Sequence, residues 1–141
     1  MRVAIGSDDR GPLTDALLAE LERREAAVET FGVLAGGAAE WASTARDVAA
    51  AVARGAADFG IVCCWTGTGV SIAANKVAGA RAALCADAAT AAGARKWNDA
   101  NVLALSLRST TPSVGLEILD AFLATAPSDD PADRLEIEKL D

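Results

Sequence analysis

Short apolar runs of strand length alternate five times with stretches of helical apolar spacing, and no other feature of the chain limits its fold as much. Arg2–Gly6, RVAIG, ends at the polar turn SDDRG. From Pro12 to about Glu25, Leu13, Leu17, Leu18 and Leu21 recur at helical spacing, and Pro12 suits a first helical turn. Ala27–Phe31 predicts a second strand and residues 32–41 a loop. The next helix is expected from about Ser43 or Thr44, either a good N-cap, to Arg54, with Gly55 as its stop. Phe59–Cys64, FGIVCC, is the unbroken apolar run of a strand buried on both faces. A turn at Gly67–Gly69 opens a helix expected to end near Gly79. RAALC (81–85), a helix over 87–96, NVLAL (101–105) and a helix over 113–124 repeat the unit. The pattern builds an α/β protein with a largely parallel sheet, in which ligands bind beyond the carboxyl ends of the strands. Residues 1–141 read as one domain, with the acidic segment 127–141 as a terminal helix or arm.

Composition narrows the function classes. A net charge of −7 disfavours nucleic acid and anionic membrane as partners, because both need a basic face. No apolar run approaches the roughly 18–20 residues of a membrane span, and the N-terminal RVAIGSDD is too short and charged for a signal peptide, so a cytoplasmic protein is expected. The three cysteines, Cys63, Cys64 and Cys85, argue against a disulfide framework. Histidine is absent, so proton chemistry falls to Cys, Asp, Glu, Lys or Arg.

Three places gather polar groups near strand ends: Ser7-Asp8-Asp9 after the first strand, Cys64-Trp65-Thr66-Gly67 after the third, and Asn98-Asp99 before the fifth. In a parallel sheet the first two share an edge. Acidic residues after a first strand also serve as turn formers or caps. Gly67-x-Gly69 is a poor dinucleotide fingerprint, since the third glycine would fall at Ile72 and the turn does not follow the first strand. A metal site on the Cys pair lacks further ligands. Proton abstraction beside a carbonyl fits better. Its enediolate oxygen needs preorganised donors, and backbone N–H groups around Gly67–Val70 at a helix start supply them. Glycine lets that backbone approach closely, and a helix start favours the thiolate of a nearby cysteine. Taken alone, Cys64 reads more readily as a small buried strand residue than as a base, whereas Cys63 should point to the other side of the strand.

VAIGSDD, GTGVSIAANKVAGARAALC and NDANVLAL together resemble the ribose-5-phosphate isomerase B family, which includes the galactose-6-phosphate isomerase subunits, over almost the whole chain. The resemblance implies a three-layer α/β/α sandwich with a five-stranded parallel sheet, and a homodimer with shared active sites. It implies metal-free aldose–ketose isomerisation through an enediol(ate), acting on a sugar or sugar phosphate. By position, Cys64 matches the base that moves the proton between C1 and C2, and Thr66 the threonine beside it. Gly67, Thr68, Gly69, Val70 and Ser71 match the turn that receives the enediolate oxygen. Asp8 matches a substrate hydroxyl contact, Asn98 a contact from the dimer partner, and Arg108 and Arg134 arginines of the anion site.

The departures concern the pocket. Asp9 stands where the family has a phosphate-binding histidine, and Trp97 where it has the histidine credited with ring opening. Trp65 replaces a glycine, and Glu40-Trp41 an Asp-Tyr pair. All three tryptophans thus fall at site positions, which implies a reshaped pocket. If Asp9 faced the phosphate it would repel it. Either a carboxylate such as Asp9 or Glu40 opens the ring, or the substrate arrives open, which is the reading preferred from the sequence. The function expected is an isomerase of the ribose-5-phosphate isomerase B type. The alternatives are an isomerase of an unphosphorylated or open-chain sugar or sugar acid, and a catalytically silent binding protein on the same fold.

Overall fold

Each apolar run forms a strand because a helix follows that is long enough to carry the chain back to the start of the next one. The computed structural model describes residues 1–141. Its elements are β1 (Arg2–Ser7), α1 (Pro12–Arg23), β2 (Ala27–Gly32), α2 (Trp41–Ala53), β3 (Phe59–Cys64), α3 (Thr68–Ala74), β4 (Ala82–Leu84), α4 (Ala88–Asn98), β5 (Val102–Ser106), α5 (Pro112–Ala124) and α6 (Pro131–Glu138). The strands form one sheet in the order β2-β1-β3-β5-β4, with every pair parallel. Because β1 has β2 on one side and β3 on the other, the crossovers diverge there. The crevice beyond the carboxyl ends of β1 and β3 is therefore where such a sheet binds ligands.

Side-chain alternation divides the core into two layers around the sheet. On one face Val3, Ile5, Ile61, Cys63, Leu103 and Leu105 pack against Leu13, Leu17 and Leu21 of α1 and Ile118, Leu119 and Phe122 of α5. On the other face Ala4, Val62, Cys64, Val102 and Ala104 meet the alanine-rich sides of α2 and α3. Helix α2 lies close on the sheet because glycines make room: a Cβ on Gly60 would come within 2.9 Å of Val48 Cγ1. The three-layer arrangement matches the one the resemblance implies.

Some boundaries differ from the sequence expectation, for local reasons. Helix α2 begins at Trp41 rather than Ser43 or Thr44, with Thr44 N donating to Glu40 O at 3.0 Å. Thr44 is buried, and a Cβ on Gly6 would lie 2.6 Å from its Cγ2, so it packs rather than caps. Helix α3 stops at Ala74, short of Gly79. The Asn75 amide leaves the helix to pair with β4, accepting from Ala82 N at 2.8 Å and donating to Ala82 O at 2.9 Å. That contact occupies part of the outer edge of β4, which would otherwise offer an open strand to other chains. The segment after Pro127 forms α6, which packs on α4.

Asp99, singled out with Asn98 in the sequence, is structural. It closes α4 in the left-handed region (φ 44°) and bonds two arginines: Arg95 Nη1 to Oδ1 at 2.8 Å and Arg81 Nη2 to Oδ2 at 3.1 Å. Arg95 is buried, also donates to Ala100 O at 2.6 Å, and lies 5.0 Å from the Phe59 ring centroid. Arg95→Met keeps the apolar stem and removes these bonds. It is expected to cost about 3 kcal/mol, read as a lower urea midpoint at unchanged slope.

Candidate active site

The site grows from the register of two strands. Ser7 of β1 pairs with Cys63 of β3, so Asp8 and Cys64 follow side by side at the carboxyl edge. Cys63 turns into the α1/α5 layer and is fully buried. Burial, then the neighbouring Cys64 and Asp8, push its thiol up to about 12, which keeps it protonated at neutral pH. Cys64 faces the opposite layer and, at 6% exposure, opens into a cavity of about 400 Å³. Asp8, Trp65, Thr66, Thr68 and Gly69 line that cavity with it, and Trp41 closes one wall.

The turn after Cys64 is fixed by β5. Cys64 O accepts from Leu107 N at 2.9 Å, and Trp65 O accepts from Arg108 N and Ser106 Oγ, each at 2.9 Å. Gly67 then adopts φ +77° as the N-cap of α3. The first bond of α3 runs from Ser71 N to Gly67 O at 3.2 Å. The first-turn N–H groups of Thr68, Gly69 and Val70 consequently have no acceptor within the helix. The Thr66 and Thr68 hydroxyls bond each other at 2.8 Å. A thiol, a carboxyl, a hydroxyl pair and the first residues of α3, Thr68 and Gly69, thus share one cavity.

The two acidic residues after β1 separate. Asp8 lines the cavity, and burial raises its carboxyl above its ordinary value, with the Asp9 charge adding to the shift and a backbone hydrogen bond offsetting part of it. Asp9 is exposed, does not line the cavity and completes a turn instead: its N–H donates to Ser7 Oγ at 3.2 Å, while its Oδ1 accepts from Arg10 N at 2.8 Å. Arg108 is exposed on the same edge as Cys64, whereas Arg134 sits on α6 beside Asp99 and Ser128.

Trp97 and Asn98 lie apart from Cys64 within one chain. Helix α4 runs back towards the start of β5, so its last turn belongs to the amino edge of the sheet. Both residues line one end of a groove of about 750 Å³ that runs along α4 and Ala82–Leu84 of β4. A Cβ on Gly93 would lie 2.9 Å from Trp97 Cζ3, so the indole rests on that glycine. The groove is larger than the Cys64 cavity but holds no acid or base, which leaves the proton chemistry to the latter. Of the three tryptophans expected at site positions, Trp41 and Trp65 line the Cys64 cavity. The Trp41 indole packs on Gly69, whose added Cβ would lie 2.9 Å from Trp41 Cε3. No three acidic or cysteine side chains converge to hold a metal ion, and no helix is long and apolar enough to cross a membrane.

The model of the family described as Ribose/Galactose Isomerase matches residues 3–140. Ribose-5-phosphate isomerase B of Escherichia coli (strain K12) is 39% identical over 123 residues, covering 86% of this chain and 83% of that protein. The solved structure of Clostridium thermocellum ribose-5-phosphate isomerase B superposes with a TM-score of 0.91 at 38% identity, over 99% of this chain and 95% of that one. Trypanosoma brucei type B ribose 5-phosphate isomerase gives 0.89 at 41% identity, again over 99% and 95%.

Proposed function

The chain belongs to the ribose/galactose isomerase family, and from that premise we propose that Cys64 is the base through which it interconverts an aldose phosphate and its ketose. It is a cofactor-independent aldose–ketose isomerase of the ribose-5-phosphate isomerase B type, and neither the unphosphorylated-sugar reading nor the silent one is favoured by its relatives. The observation that carries the proposal is that Cys64 ends β3 inside the cavity that the Thr66–Gly69 turn lines. The Cys64 thiolate removes the proton from C2 of the open aldose. The C–H electron pair forms the C1–C2 double bond, and the carbonyl pair moves onto O1. That oxyanion faces the first-turn N–H groups of Thr68, Gly69 and Val70, which cost no reorganisation when the charge appears. The paired Thr66 and Thr68 hydroxyls are placed to pass the proton from O2 to O1, and Cys64 returns its own proton to C1. Purified protein is expected to convert ribose 5-phosphate to ribulose 5-phosphate at a rate unchanged by excess EDTA. No ketose formation, or a rate abolished by the chelator, would contradict this.

A homodimer with shared sites, in the cytoplasm, belongs to the same proposal. Its support is an apolar face that one chain leaves open: Ile72 is 62% exposed, Trp97 55% and Leu84 39%. Leu84 also reaches the turn at Gly67, where an added Cβ would lie 2.6 Å from its Cδ1, so this face adjoins the Cys64 cavity. A second copy seated here would bring its own amino-edge residues towards that cavity. Sedimentation is expected to give twice the chain's mass for the wild type and a monomer of low activity for Leu84→Glu. A fully active monomer would overturn the shared site.

A further inference from the structure

Resting on the reading of Cys64 as proton carrier, we infer that Asp8 is a second catalytic group of this site, the one that opens the cyclic aldose by passing the anomeric proton to the ring oxygen. Proton transfer at C2 needs a free carbonyl, whereas aldopentose phosphates in water are overwhelmingly closed rings. Opening the ring requires a base for the anomeric hydroxyl and an acid for the ring oxygen, tasks for a group that can hold or release a proton near neutral pH. The chain has no histidine to supply one. Trp41 and Trp65 offer only N–H donors, and the threonine hydroxyls do not ionise. Apart from Cys64, Asp8 is the one titratable side chain among the cavity-lining residues.

The register that pairs Ser7 with Cys63 sets Asp8 level with Cys64, so one bound sugar reaches both. Of the carboxylates considered from the sequence, Asp9 is bonded to Arg10 N at 2.8 Å, and Glu40 is exposed ahead of α2 and does not line the cavity. Burial eases proton retention by the Asp8 carboxyl between the two halves of the step. The carboxylate accepts the anomeric O–H proton, and the O–H pair becomes the C1 carbonyl π bond. The bond from C1 to the ring oxygen breaks, its electron pair stays on that oxygen, and the carboxyl gives it the proton. The carboxylate is regenerated and nothing is oxidised. The sequence-based preference for a substrate that arrives open gives way to a ring opened in place.

Ring opening and isomerisation can be read apart. Ribose 5-phosphate labelled with carbon-13 at C1 reports anomer exchange by magnetisation transfer, without any ketose being formed. The Cys64→Ala protein is expected to speed anomer exchange about tenfold or more over buffer. Adding Asp8→Asn to it should return exchange to the buffer rate while ribose 5-phosphate still quenches tryptophan fluorescence. Adding Asp8→Glu instead, which keeps a carboxylate, should retain part of the acceleration. The proposal is overturned if Cys64→Ala gives no acceleration, or if Asp8→Asn leaves it intact. Loss of ribose 5-phosphate binding in Asp8→Asn would likewise overturn it, by reducing Asp8 to a binding contact. Ketose formation by Cys64→Ala would count against the base assignment alone, and it is seen separately.

Discussion

Gly67→Ala is expected to lower turnover by about 100-fold and stability by about 3 kcal/mol. Two physical causes act together. At φ +77° the residue is in the left-handed region, which an alanine Cβ disfavours. That Cβ would also lie 2.9 Å from the Leu105 carbonyl carbon and 3.0 Å from Ser106 N, and backbone atoms of a central strand cannot rotate aside. The turn must therefore shift away from β5, and the first-turn N–H groups of α3 shift with it. A displacement of donors by an ångström is enough for the turnover loss. Gly36→Ala makes the control: its φ is also positive, but an added Cβ there meets nothing within 4 Å. It should show the strain without the loss of activity. Urea unfolding and steady-state turnover of both variants check the expectation, and a fully active Gly67→Ala protein would mean that the turn does not position the oxyanion.

The parts of the fold legible in the sequence are those set by local pattern. FGIVCC is apolar throughout because β3 has helices on both faces, and the period of two by itself assigns Cys63 and Cys64 to opposite layers. Gly55 does stop α2, at φ +75°. What escaped the pattern depends on distant residues. Asn75 ends α3 because Ala82 stands across from it, and Thr44 is drawn into the helix by the space beside Gly6. In the site, Asp8 and Asp9 are equivalent by spacing. Only the Ser7–Asp9 turn, with Ser7 Oγ donating to Asp9 O at 2.6 Å, decides which carboxyl faces the cavity. Trp97 and Arg134 carry no local sign that α4 and α6 leave them away from the Cys64 of their own chain. Trp41 gave its signal through the resemblance, as the residue that stands with Glu40 in place of an Asp-Tyr pair.

Cys64→Ser should have the largest effect of any single substitution. A serine hydroxyl is almost wholly protonated at neutral pH, so the base is lost while the shape is nearly kept, and turnover should fall about 1,000-fold or more. Cys63→Ser buries a hydroxyl in the α1/α5 layer and should lower stability by about 1–3 kcal/mol with little change in kcat. Cys85 is buried too, its thiol pushed up to about 11 by burial and then by Asp87, and it does not line the cavity. Ribose 5-phosphate incubated with enzyme in deuterium oxide tests the base directly, because a proton held on a thiol exchanges with solvent before it returns to carbon. Wild type and Cys63→Ser are expected to place deuterium on the substrate carbons C1 and C2 at comparable rates, and Cys64→Ser to place none above the uncatalysed background. Deuterium entering at the wild-type rate in Cys64→Ser would show that another group carries the proton.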